Sequence, residues 1–139
     1  NLSKFMRGKL SVSVAVLKIG NDVLFKNEKV QVDRITGHGG LFKTKGVGQR
    51  ILAAAINSPI SVMETAGEGG AWGIALLAGY LVNNAEKLSL ADYLDQKVFA
   101  GNTGVEIAPT AEDVAGFDKY IETYKAGLAI EKAAVENKN

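Results

Sequence analysis

Two stretches of the chain share one pattern, in which a short β-rich run ends in a cluster of glycines and then gives way to apolar residues at helical spacing. The first runs Val32-Asp33-Arg34-Ile35-Thr36 into Gly37-His38-Gly39-Gly40, and a helix is expected over residues 45–56. The second runs from Ile60 to Glu64, then into Gly67-Glu68-Gly69-Gly70, with a helix from about Ala71. In the first helix Val47, Ile51, Leu52, Ala55 and Ile56 share a face, Thr44 is placed to cap its start, and Asn57-Ser58-Pro59 ends it because proline cannot continue the hydrogen-bond ladder. The second carries Ala71, Gly73, Ala75, Ala78 and Gly79, small residues expected to let it press closely on a sheet or a neighbouring helix.

The flanking segments read differently. Leu2, Phe5, Met6, Leu10, Val14 and Leu17 follow a helical stripe, while Ser11-Val12-Ser13-Val14-Ala15-Val16 alternates as a strand would and Gly20-Asn21 could turn a hairpin. The stripe is longer than a typical strand, so a helix is the expectation. Towards the other end, Ser89 can cap a short helix bearing Leu90, Tyr93 and Leu94. Residues 98–108, with Gly101-Asn102-Thr103-Gly104, read as an irregular or extended connection. Pro109-Thr110 opens a last helix in which Thr110 and Asp113 resemble a capping box and Val114, Phe117, Ile121, Tyr124, Leu128 and Val135 form one stripe. Its aromatics are expected in the core. Residues 136–139 are a polar fringe.

Composition narrows the class. A chain of 139 residues is one domain or a piece of one. Sixteen basic against fifteen acidic residues leave a net charge of +1, which points to neither nucleic acid nor an anionic membrane as the partner. There is no cysteine, so disulfides and zinc–thiolate sites are excluded and a reducing compartment fits. No apolar run reaches a membrane span and the first residues do not read as a signal peptide, so a cytoplasmic location is the expectation.

Two strand-to-helix turns at the carboxyl ends of parallel strands are where open α/β sheets bind ligands, and exposed N–H groups at helix starts favour phosphate. A nucleotide or phosphate is therefore the expected ligand. Residues 37–44, Gly-His-Gly-Gly-Leu-Phe-Lys-Thr, lie one residue from a G-x-x-x-x-G-K-[ST] phosphate loop, but Phe42 stands where glycine is needed. Neither loop spells G-x-G-x-x-G. His38, the sole histidine, has no triad partner at recognisable spacing and reads as a solvent-facing or hydrogen-bonded loop residue. Glu64 and Glu68 bracket the second loop. Glu68 could be a ligand group, yet a carboxylate is favoured before any helix N-terminus by roughly 0.3–1 kcal/mol. Lys43, following the glycines, could meet a phosphate, although a lone loop lysine is commonly only solvated.

From Gly37 to Tyr80 the chain resembles the C-terminal domain of FGGY-family carbohydrate kinases, and the xylulose kinase branch looks nearest. Gly39-Gly40 stand for the family's adenosine-loop glycines, Lys43-Thr44 for the pair after them, and residues 68–76, Glu-Gly-Gly-Ala-Trp-Gly-Ile-Ala-Leu, for the E-x-[GA]-A-x-G-A-A signature. Arg7-Gly8-Lys9-Leu10 departs from the family's R-A-x-x-E-G, and Leu41 replaces a small residue.

The resemblance implies an α/β fold, part of an actin-like, ribonuclease H-like ATPase domain with short parallel strands flanked by helices and with its first strands lying ahead of Asn1. It implies transfer of the ATP γ-phosphate to a sugar hydroxyl, with the sugar, the catalytic base and most Mg²⁺ contacts supplied by an N-terminal domain. No catalytic or metal-binding residue is then expected in this chain, which would contribute Gly39, Gly40, Lys43 and Thr44 to ATP binding and be inactive alone. Unpaired strand edges further suggest a homo-oligomer. The competing expectation is a non-enzymatic, actin- or Hsp70-like nucleotide-binding or assembly module.

Overall fold

The computed structural model describes residues 1–101 and 104–138. It opens on a long helix, α1 (Leu2–Asp22), whose first turn is capped by Asn1, the side chain accepting the Ser3 N–H at 3.0 Å. The helix itself runs through Gly20-Asn21 and a π-helical turn over Val23–Asn27 continues it, so no hairpin forms there. Of the expected stripe only Val14 is buried. Ser11, Val14, Ala15 and Lys18 face inward, while Leu2, Phe5, Met6 and Leu17 stay exposed. Both stripes satisfy helical spacing, and two polar residues hide the one that packs. Ser11 satisfies its hydroxyl on the Arg7 carbonyl (2.9 Å), and Lys18 places its ammonium 2.9 Å from Asp22 and 3.7 Å from Asp118.

Strand β1 (Ile35–Gly37) lies three residues later than its β-rich run begins, because Gly37 itself pairs with Val62. Helix α2 (Val47–Ile56) crosses to β2 (Ile60–Val62), and the two strands are parallel, with Ile35 opposite Ile60. Thr44 does not cap α2. That position falls to Gly46 in the left-handed region (φ 77°), without a side-chain cap. Asn57, also left-handed (φ 49°), ends the helix ahead of Pro59, as residues 57–59 imply.

A third strand, β3 (Val105–Ile107), runs antiparallel to β2, so the connection over residues 98–108 is partly sheet. Asn102 and Thr103 of its Gly-Asn-Thr-Gly segment lie outside the described residues, as does Asn139. The order β1-β2-β3 covers both edges of β2, contrary to the expectation that each parallel strand keeps a bare edge. Ser89 caps α4 (Leu90–Tyr93) and Thr110 caps α5 (Ala111–Glu136), each hydroxyl accepting a backbone N–H at 3.1 Å.

Helix α2 is the hub. Leu52 to Ile56 are all buried on it, and α1 and α5 pack against it through Val14, Ala15, Phe117 and Ile121, with Ile60 at the sheet wholly enclosed. Burial of the larger of these side chains, Val14, Leu52, Ile56, Ile60, Phe117 and Ile121, stabilises by about 1.5–3 kcal/mol each. Of the expected α5 stripe, Phe117 and Ile121 are core, whereas Leu128 and Val135 are exposed. Helix α3 (Gly69–Asn83) buries no residue; nothing lies within 4 Å of a Cβ built at Gly73, whereas one built at Gly79 would meet the Tyr93 hydroxyl of α4 at 3.8 Å, so of its glycines expected to make close contact only Gly79 faces a neighbouring helix.

Candidate functional site

Because β1 and β2 are parallel neighbours, the loops leaving them emerge on the same end of the sheet. They are joined by backbone: the Gly39 N–H donates to the Ala66 carbonyl at 2.8 Å. Gly39 takes φ 102°, a conformation open mainly to glycine, and starts a short 3-10 turn over Gly40–Phe42. A Cβ on Gly37 would fall 2.5 Å from the Phe42 ring, so the bulky residue that spoils the phosphate-loop pattern is seated on a bare strand residue. Phe42 packs against the core instead of facing a ligand.

The second loop turns through Ala66–Glu68 into α3. Its glycines are bare for contact with the first. The Lys43 stem lies over Gly67, where a Cβ would be 3.0 Å from Lys43 Cγ, and the His38 ring lies over Gly69, 3.2 Å from a Cβ there. Lys43 Nζ ends 2.6 Å from Glu68 Oε1, in an ion pair exposed on both sides. Between the loops opens a cleft of about 500 Å³ walled by His38, Gly39, Gly67, Glu68, Gly69, Gly70 and Ala71.

Of the expected site residues, Gly39 lines this cleft and Lys43 borders it through Glu68. Gly40 stands beside it with nothing within 4 Å of a Cβ, and Thr44 is exposed beyond it. His38 is exposed, as expected of a lone loop histidine, and forms part of the wall. The bare backbone at Gly39 and Gly70 and the N-terminal end of α3 suit an anionic phosphate chain. Among the described residues there is no group of three or more His, Asp or Glu side chains that could hold a metal ion. No described helix is long and apolar enough to cross a membrane.

One residue behind the loops escapes the sequence pattern. Gln49 is buried in α2, and its Nε2 donates to the carbonyls of Ile60 and Val105, both at 2.6 Å, tying the helix to β2 and β3 at once. Its signal is a polar side chain in line with Leu52, Ala53 and Ile56 on the buried face.

A parallel β-α-β pair carrying two glycine loops at one end, extended by an antiparallel strand, makes a small mixed α/β fold. The family model for the C-terminal domain of FGGY carbohydrate kinases matches residues 1–82, more than half of the 139. The chain belongs to this family, whose C-terminal domain has the actin-like ATPase fold and whose members are phosphotransferases acting on carbohydrates. No curated protein and no solved structure matches it. Family membership brings ATP as phosphate donor and Mg²⁺ with it.

Proposed function

We propose that this chain is the nucleotide-side, C-terminal domain of an ATP-dependent sugar kinase of the xylulose kinase branch, and that its two glycine loops receive the adenosine end of ATP. The hydrogen bond from Gly39 to Ala66 carries the reading, because it holds two stretches of bare backbone on opposite walls of one cleft. Gly39 and Gly40 offer room for the nucleoside and α-phosphate, Lys43 supplies a cation, and the Thr44 hydroxyl lies at the outer end of the same loop. When bound, ATP supplies the phosphoryl group. The chain's own residues orient the nucleotide and exclude water from one side of it.

Phosphoryl transfer depends on positioning and charge stabilisation at the transferring group. On this reading the base and the β- and γ-phosphate loops belong to an N-terminal domain, so the 139-residue chain should hold nucleotide weakly and hydrolyse none. The test is ATP consumption by the longer parent protein across pentuloses, hexuloses, polyols and sugar acids. Turnover with a pentulose above the others supports the xylulose branch. Turnover with another acceptor leaves the kinase reading and rejects the branch, while no turnover with any rejects both.

A further inference from the structure

Away from the glycine loops, a groove of about 890 Å³ runs between the first half of α1, the start of α2 and the first half of α5. Its floor is apolar, with Leu10, Ile51 and the buried Phe117 among its residues. Its rims are cationic. Lys4 and Arg7 stand three residues apart on α1, hence on one face, and Lys45 and Arg50 stand at the start of α2. Against these four cations the groove holds one acid, Asp113, which lies 3.6 Å from Arg7. Lys4, Lys45 and Arg50 make no ion pair among the described residues. A chain of net charge +1 thus gathers an excess of three positive charges around one apolar trough.

Two further features point the same way. Gly8 and Gly116 line the groove from mid-helix positions in α1 and α5, and nothing in the chain lies within 4 Å of a Cβ built at either. A helix-interior glycine costs about 1 kcal/mol relative to alanine, and no contact within the chain explains these two. They leave bare backbone where a second backbone can approach closely. The α2 N-terminus, capped by Gly46 with no side-chain oxygen, opens into the groove as well and adds its partial positive charge.

We propose that this groove docks an acidic amphipathic helix of a protein partner. The α1 wall from Ser3 to Ser11 is about 12 Å long at 1.5 Å per residue, which matches about two turns of a bound helix. Its apolar face would lie over Phe117 and Ile51. Carboxylates on both flanks would meet the α1 and α2 cations, and the axis would approach closely at Gly8 and Gly116. The cationic rims select an acidic helix over a neutral one of the same apolar face.

The test is fluorescence anisotropy of a labelled helical peptide with leucines at i, i+3, i+4 and i+7 flanked by glutamates, titrated with the chain. A second peptide carries glutamine for every glutamate. The acidic peptide should bind, with affinity falling as salt rises, and the glutamine peptide should bind about tenfold or more weakly. Lys45→Glu with Arg50→Glu should abolish binding with the circular dichroism spectrum unchanged. Gly8→Leu, which adds no charge, should block it sterically. Equal binding of the two peptides, binding unaffected by these variants, or no binding of the acidic peptide overturns the proposal. So does self-association of the chain that the charge reversals remove, since the occupant is then a second copy.

Discussion

Lys43 and Glu68 meet at 2.6 Å although 25 positions separate them in sequence, and their ion pair ties the residue after the first glycine loop to a wall residue of the cleft. Pairs this exposed contribute about 0–1 kcal/mol, so the contact is weak enough for a phosphate to displace. Glu68→Gln should free the lysine and tighten ATP binding to the chain, whereas Lys43→Ala should weaken it. Neither should move the urea midpoint appreciably. Isothermal titration calorimetry alongside urea unfolding checks both halves, and a large stability loss in either variant would make the pair a structural strut instead.

Gln49 should matter more to folding than any loop residue. Its removal in Gln49→Leu leaves the Ile60 and Val105 carbonyls without the donor they share, and each buried acceptor left unpaired costs about 1–3 kcal/mol. The expected loss is roughly 2–4 kcal/mol by urea denaturation. A loss under about 0.5 kcal/mol would show that the two carbonyls find other donors.

How much of this was legible depended on whether the signal was local. The caps at Ser89 and Thr110, the stop at residues 57–59 and the glycine loops are each written within a few residues, and each stands where the pattern places it. Strand β3 is three residues long beside Gly104, which takes φ 75° with Val62 O only 2.9 Å from a Cβ built on it. What defines the strand is therefore its pairing with β2, not its composition. The α1 face was hidden because Ser11 and Lys18 are buried by virtue of partners, Arg7, Asp22 and Asp118, that periodicity does not weigh. Of the cleft, the glycines could be read but the joining of its walls could not. The contacts from Lys43 to Glu68 and from Gly39 to Ala66 exist only because β1 and β2 pair in parallel.

Acid should act through Asp22. Burial raises its pKa, but hydrogen bonds from Lys18 and Lys26 and their charges outweigh that, leaving the carboxyl below its ordinary 3.8. A depressed carboxylate stabilises the fold above its unfolded pKa and loses that contribution as pH falls through the lower folded value. Stability of the chain should therefore decline below about pH 4, and the decline should be shallower in Asp22→Asn. Urea midpoints measured across that range decide it; parallel curves for the two proteins would assign the acid sensitivity to other carboxylates.

The outer side of β1 has no partner strand among the described residues, and Val30 and Val32 are exposed just ahead of it. An open edge beside exposed valines invites pairing with another copy. The chain should therefore gain mass with concentration in light scattering over the micromolar range. A constant monomer mass would mean that β1 is too short to template a partner.

The central claim is that the two glycine loops form one nucleotide cleft, and backbone amide chemical shifts of the labelled chain titrated with ADP and Mg²⁺ test it most directly. Shifts should concentrate at Gly39, Gly40 and Gly67 through Ala71, with weak affinity. They should shrink in Gly40→Val, whose branched side chain finds open space in the fold and would occupy room meant for ligand. Shifts confined to other surfaces, or an unchanged response in Gly40→Val, would contradict the assignment of this cleft to the nucleotide.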